Sequence, residues 1–109
     1  MGQISELQNG HKAWVDYNFP DQPGYQPLLG IAEEVGELCH AHLKVEQGIR
    51  GATDLQKRDA LGDIFIYMMS YANAEGLSLE SCILHAWAEV SARDWVQFPK
   101  TGMSTEERV

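Results

Sequence analysis

Residues 59–75 read DALGDIFIYMMSYANAE, and the fold turns on the period of the apolar side chains in this stretch. Leu61, Ile64, Phe65, Met68, Met69 and Ala72 recur three and four positions apart, which is the period of one helix face. Ile66 and Tyr67 widen that face until the segment is apolar nearly all round. Such a helix needs neighbours on several sides, so it belongs at the centre of a bundle. Thr53 or Asp54 is suited to start it, because a short side-chain oxygen can take up a free N–H of the first turn. Gly76 is suited to end it, because the residue after a helix commonly turns left-handed.

Three further helices are expected around this one. Upstream, Leu28, Ile31, Ala32, Val35, Leu38, Cys39, His42 and Leu43 form the apolar face of a helix that begins near Pro27 and stops around Gln47 and Gly48. Before it, FPDQPGYQP packs three prolines and a glycine into nine residues and must be a loop. The first segment carries Ile4, Leu7, His11, Trp14, Val15 and Phe19 at mostly helical spacings and ends before Pro20. Downstream, Ser78 opens a fourth helix carrying Leu79, Ile83, Leu84, Trp87 and Val90, and residues 97–109 read as an irregular tail. No segment alternates with period two. The class is therefore all-α, an antiparallel bundle of about four main helices in one domain.

Composition narrows the setting. The chain of 109 residues is 44% hydrophobic and 22% charged, which describes a globular protein that folds. A net charge of −8 argues against duplex nucleic acid as a partner, since polyanion binding needs clustered Lys and Arg. The absence of an apolar run near ~20 residues argues against a membrane span, and the first residues lack a secretory pattern, so a cytoplasmic location is the expectation. Cys39 and Cys82 stand alone within apolar helical patterns and are expected to be buried thiols. The girth of the 59–75 helix is simplest to cover if another subunit helps, which predicts a homo-oligomer.

Carboxylates supply the chemistry. Residues 31–44, IAEEVGELCHAHLK, place Glu33, Glu34 and Glu37 on one helix, with Glu34 and Glu37 a turn apart at the border of the apolar stripe. Like charges at this spacing repel. Asp59 and Asp63 are likewise one turn apart beside the apolar face of the next helix. Two antiparallel helices so patterned can gather three or four oxygen ligands, a set suited to Mg²⁺, with Mn²⁺ as a substitute, and unlike a thiolate zinc site. A solvated acidic face is the commoner use of such spacing. Gly36 and Gly62 favour the metal reading, because each weakens its helix by roughly 1 kcal/mol and would permit close backbone approach where the helices meet.

These two segments, EEVGEL at 33–38 and DALGDIFIYM at 59–68, resemble the MazG-like all-α nucleoside triphosphate pyrophosphohydrolases. The resemblance extends through WVDYNFP at 14–20, HAHLKVEQGIRG at 40–51 and AEVSARDW at 88–95, nearly the whole chain. It implies a helical dimer or tetramer that converts a nucleoside or deoxynucleoside triphosphate to monophosphate and pyrophosphate with Mg²⁺. In its acidic motif, EExxE followed by ExxD, Glu33, Glu34 and Glu37 fill the first part and Asp63 the last position. Ala60 stands where the family has a glutamate, leaving Asp59, Asn73 or water to complete the shell.

On this reading Glu34, Glu37 and Asp63 hold the metal, and Glu33 binds a second ion or orients the attacking water. Lys44, Arg50, Lys57, Arg58, Arg93 and Lys100 are candidates for the phosphates, with Arg93 first; an ion pair of Arg93 with Asp94 or Glu89 is the alternative. Trp14 and Asn18 are candidates for stacking on and hydrogen-bonding a base, against core packing for Trp14. Asn73, polar near the end of an apolar helix, is either a site residue or a buried hydrogen-bonding one. Two other functions compete: a non-enzymatic acidic helical oligomer with an interaction or regulatory role, and a pyrophosphohydrolase for a phosphoribosyl nucleotide.

Overall fold

The computed structural model describes residues 2–105. The chain forms four helices in order, α1 (Gln3–Asn18), α2 (Gln26–Glu46), α3 (Asp54–Ala74) and α4 (Leu79–Ser91), and no strand occurs among the described residues. Two compact units are present, Met1–Leu79 and Glu80–Val109. No helix among the described residues is long and apolar enough to cross a membrane.

In the first unit, α3 is the element on which both α1 and α2 pack, the central place its apolar girth requires. Local signals set the helix ends. Pro27 lies in the first turn of α2, where its missing N–H is no loss. Thr53 caps α3, and its N–H donates to Gln56 Oε1 at 3.3 Å. Helices α2 and α3 terminate alike. Ile49 N–H reaches back to Lys44 O at 3.0 Å and Leu77 N–H to Ala72 O at 2.8 Å, each across a glycine of positive φ, Gly48 and Gly76.

The register of α2 on α3 is read from glycines. A Cβ on Gly24 would meet Ala74 at 3.5 Å, and one on Gly30 would lie 2.4–2.7 Å from the Tyr67 ring, so the two helices run antiparallel with Gly30 as the point of close approach. Gly36 and Gly62 do not have the role expected of them: both are exposed, and a Cβ on either would meet nothing within 4 Å. The substitutions therefore have opposite expected signs. Gly30→Ala must push the Tyr67 ring aside, at a cost of about 1–3 kcal/mol. Gly36→Ala and Gly62→Ala gain helix propensity, up to about 1 kcal/mol each. Urea unfolding of the three variants checks both signs.

Among the described residues, the buried apolar set of the first unit is small, comprising Pro27, Ala41, Ala60, Ile64, Met69 and Ala72. Leu28, Val35 and Leu43 of α2 and Leu61 and Phe65 of α3 are exposed, because each helix is apolar over a wider arc than its neighbours in the chain cover. For the same reason Cys39, on the outer stripe of α2, is exposed rather than buried. Cys82 is also exposed, and no residue of α4 is buried. A buried polar clip compensates at one end. Gln8 Nε2 of α1 donates to Asn73 Oδ1 at 2.9 Å and to Leu77 O at 2.8 Å, while Gln8 Oε1 accepts from Leu79 N–H at 2.9 Å.

In the second unit, α4 ends at Ser91 and the chain continues in turns. Asp94 N–H donates to Gly102 O at 2.8 Å, Gly102 N–H donates to Phe98 O at 2.7 Å, and Phe98 is buried. The part of the expected tail beyond residue 105 lies outside the described residues.

Candidate active site

Helix α2 brings Glu33, Glu34 and Glu37 together. One carboxylate oxygen from each lies within 4.8 Å of the other two. Their environments differ sharply: Glu33 and Glu37 are exposed, whereas Glu34 is 8% exposed and its Oε2 is buried with no hydrogen-bond partner. Rotation about the helix axis explains the split, since Glu34 lies on the side that also buries Pro27 and Ala41, seven residues to either side. Burial pushes the Glu34 carboxyl above its ordinary range. A side-chain hydrogen bond with Glu37 and the charges of Glu37, Asp63 and Glu33 push it in the same direction.

Glu34 and Asp63 line one cavity of about 320 Å³ with Trp14, Phe19, His11 and Tyr67. Trp14 is 54% exposed and forms a wall rather than core packing. It stacks on His11 with centroids 6.0 Å apart and planes 20° apart, and meets Phe19 edge-on at 5.7 Å. Gln22 and Ser70 add hydrogen-bonding groups to the lining. His11 Nε2 is a second buried atom without a partner, and burial lowers the His11 pKa, favouring neutral imidazole.

The other sequence candidates divide. Asp63 shares the cavity with Glu34 but stands outside the 4.8 Å cluster. Asp59 is exposed and lies outside both cluster and cavity. Asn73 is taken up in the Gln8 clip, with Nδ2 donating to Gln8 O at 3.2 Å, which is the buried hydrogen-bonding role. Asn18 Nδ2 donates to Trp14 O at 2.9 Å within its own helix end and does not line the cavity. Arg93 belongs to the second unit, where its Nη1 donates to Thr101 O at 2.5 Å. Asp94, expected as a partner for Arg93, instead accepts from the N–H groups of Val96 and Gln97. Lys44 lines a separate, open cavity together with Glu37.

Ala60, the position at which the resemblance would place a glutamate, is 5% exposed and packed into the core. Carried along from Gly30 and Tyr67, the antiparallel register brings position 60 opposite Glu37. Sequence reasoning missed His11, Gln22, Tyr67 and Ser70 as cavity residues and Gln8 as a clip. His11, one turn before Trp14, carried a usable signal; Gln22, in a loop, carried none. Comparison of the chain with protein-family models, curated proteins and solved structures found no match.

Proposed function

We propose that this chain is a MazG-like pyrophosphohydrolase that cleaves a nucleoside or deoxynucleoside triphosphate to the monophosphate and pyrophosphate with Mg²⁺, working as a homo-oligomer. The observation that carries the reading is Glu34, a buried carboxylate whose Oε2 has no partner, set in an acidic cluster at the wall of an aromatic cavity. A buried carboxylate oxygen without a partner is costly to the fold, and a divalent cation is a partner of the right charge and hardness. The donor set therefore fits the ion: Glu34 and Glu37 would hold it, with Asp63 supplying a further charge. Bound there, Mg²⁺ would neutralise the phosphates and polarise the scissile linkage.

The chain's own residues supply the rest. The faces of Trp14 and Phe19 and the edge groups of Gln22 and Ser70 offer a nucleobase stacking and hydrogen bonds. Glu33, exposed and adjacent to Glu34, can accept the proton of an attacking water. Phosphoryl transfer asks little more than this, because its barrier yields mainly to positioning and charge. The exposed Val35, Leu61 and Phe65 support assembly, since a second copy would remove them from water.

Buried Ala60 is the observation that favours the rival reading of a non-enzymatic acidic oligomer, because no side chain from that position reaches the cluster. One experiment separates the two. Canonical and damaged nucleoside triphosphates, and phosphoribosyl nucleotides, are incubated with Mg²⁺ and the products resolved. The expected products are a monophosphate and pyrophosphate; no turnover of any triphosphate sinks the reading, and turnover confined to a phosphoribosyl nucleotide replaces its substrate class.

A further inference from the structure

Of the residues of α1, only Gln8 is buried. The helix packs on α3, and among the described residues no Cα of α1 comes within 8 Å of one in α2. The aromatic cavity of about 320 Å³ is the gap that results. His11, Trp14 and Val15 of α1 form one side, Glu34 of α2 the other, and Asp63, Ile66 and Ser70 of α3 the floor. The opposite flank of α1 is open as well, where Leu7, Gly10, His11 and Trp14 border a groove of about 460 Å³ with Ile66 and Met69. His11, Trp14 and Ile66 line both spaces, so along this stretch α1 rests on α3 by a single seam with a void to either side. The seam carries a flaw: His11 Nε2 is buried without a partner, which disfavours the position that α1 holds.

We propose that α1 is a lid that closes on a planar heteroaromatic ligand by tilting about the Gln8 clip. The choice of ligand rests on the nucleotide reading above; the motion rests on the packing of α1. Gln8 suits a pivot, because its bonds to Asn73, Leu77 and Leu79 hold one point of the helix and tolerate a small change of angle. Trp14 lies about 9 Å beyond that point along the axis, so a slight tilt carries its ring by ångströms toward Glu34. With the gap empty, Trp14 and Phe19 are 54% and 53% exposed. A flat ring between Trp14 and α2 would cover those faces, and the apolar area removed from water favours the closed position over the open one. Closure also excludes water around Glu34 and Asp63, which strengthens any charge interaction made there. The acidic cluster itself does not move with the lid, since Glu33, Glu34 and Glu37 all stand on α2, which packs on α3.

The test is amide hydrogen exchange on wild type, Gln8→Ala and the milder Asn73→Ala, each free and with α,β-methylene analogues of the deoxynucleoside triphosphates, or the nucleosides alone, in Mg²⁺. Calorimetry reports which of these bind. In free wild type, the amides of residues 11–18 are expected to exchange about tenfold or more faster than those of residues 60–72, and a bound analogue to slow them by about tenfold or more. Each variant is expected to weaken the analogue by about tenfold while binding Mg²⁺ alone within about twofold of wild type, a split that a general loss of structure does not produce. A bound analogue that leaves residues 11–18 unchanged, free α1 exchanging as slowly as α3, or equal losses of analogue and Mg²⁺ binding overturns the lid and leaves the hydrolase reading standing. Protection of residues 11–18 by an analogue or nucleoside, with no triphosphate turned over, keeps the lid and overturns the hydrolase reading. Binding of no analogue and no nucleoside overturns both.

Discussion

Glu34→Gln is expected to reduce Mg²⁺-dependent triphosphate hydrolysis by at least about a hundredfold, since even groups one shell removed from a metal typically cost 10- to 100-fold. The substitution preserves shape and removes the charge that the ion would meet. It also has a signature that needs no substrate. The Glu34 carboxyl is held above the ordinary 4.5 by burial first and then by its acidic neighbours. As pH rises past about 4.5 the unfolded chain releases this proton while the folded one retains it. Ionisation then favours the unfolded state. In chelator, this group's contribution to stability falls as pH rises from the ordinary value to the raised one, and the penalty persists at higher pH.

Mg²⁺ at neutral pH should recover that loss, raising the melting temperature of wild type. Glu34→Gln should be more stable than wild type in chelator at pH 7.5, flatter in its pH profile, and nearly indifferent to Mg²⁺. Melting curves from pH 4.5 to 8, with chelator and with Mg²⁺, read all three. An equal Mg²⁺-induced rise in wild type and variant would place the ion elsewhere.

The largest effect on stability is expected away from the carboxylates, at Gln8. Its side chain is 6% exposed and serves Asn73 Oδ1, Leu77 O and Leu79 N–H at 2.8–2.9 Å. Gln8→Ala leaves all three without that partner in a partly buried place. The expected cost is roughly 2–4 kcal/mol, because stranding a buried polar group costs more than a hydrogen bond gains. For a domain of this size that lowers the melting temperature by roughly 10–20 °C. Gln8→Ala combined with Asn73→Ala should cost less than the two singles added, because the same bonds are removed twice. A loss under about 1 kcal/mol for Gln8→Ala would show that water replaces the clip.

Parts of the site were legible in the sequence to different depths. That Glu33, Glu34 and Glu37 meet could be read directly, since residues three and four apart on a helix are neighbours whatever surrounds them. That Trp14 shares a cavity with Glu34 could be expected only through the family resemblance and not from spacing, because a proline-rich loop separates their helices in the chain. Spacing alone does not separate Asp59 from Asp63, and Asp63 alone of the two lines the cavity. The glycines misled for a related reason. Gly36 and Gly62 mark weak points of their helices, a local property, whereas close approach at Gly30 depends on what the other helix presents there, which is the Tyr67 ring. The thiols misled because an apolar pattern states what a helix can bury, and only the number of neighbouring helices decides how much of it is buried.

By itself the sequence determined four helices, their ends and the acidic run along α2. Those features follow from backbone sterics, capping and the 3.6-residue period, all of which act within a few residues. The tertiary structure alone decided that Glu34 and not Glu33 or Glu37 is buried, that it shares a cavity with Trp14 and Asp63, and that Gln8 locks onto Asn73. Those outcomes depend on the rotation and axial offset of α1 and α2 against α3. Contacts between distant residues, such as Gly30 on Tyr67, fix that offset, and a helix's own period leaves it free.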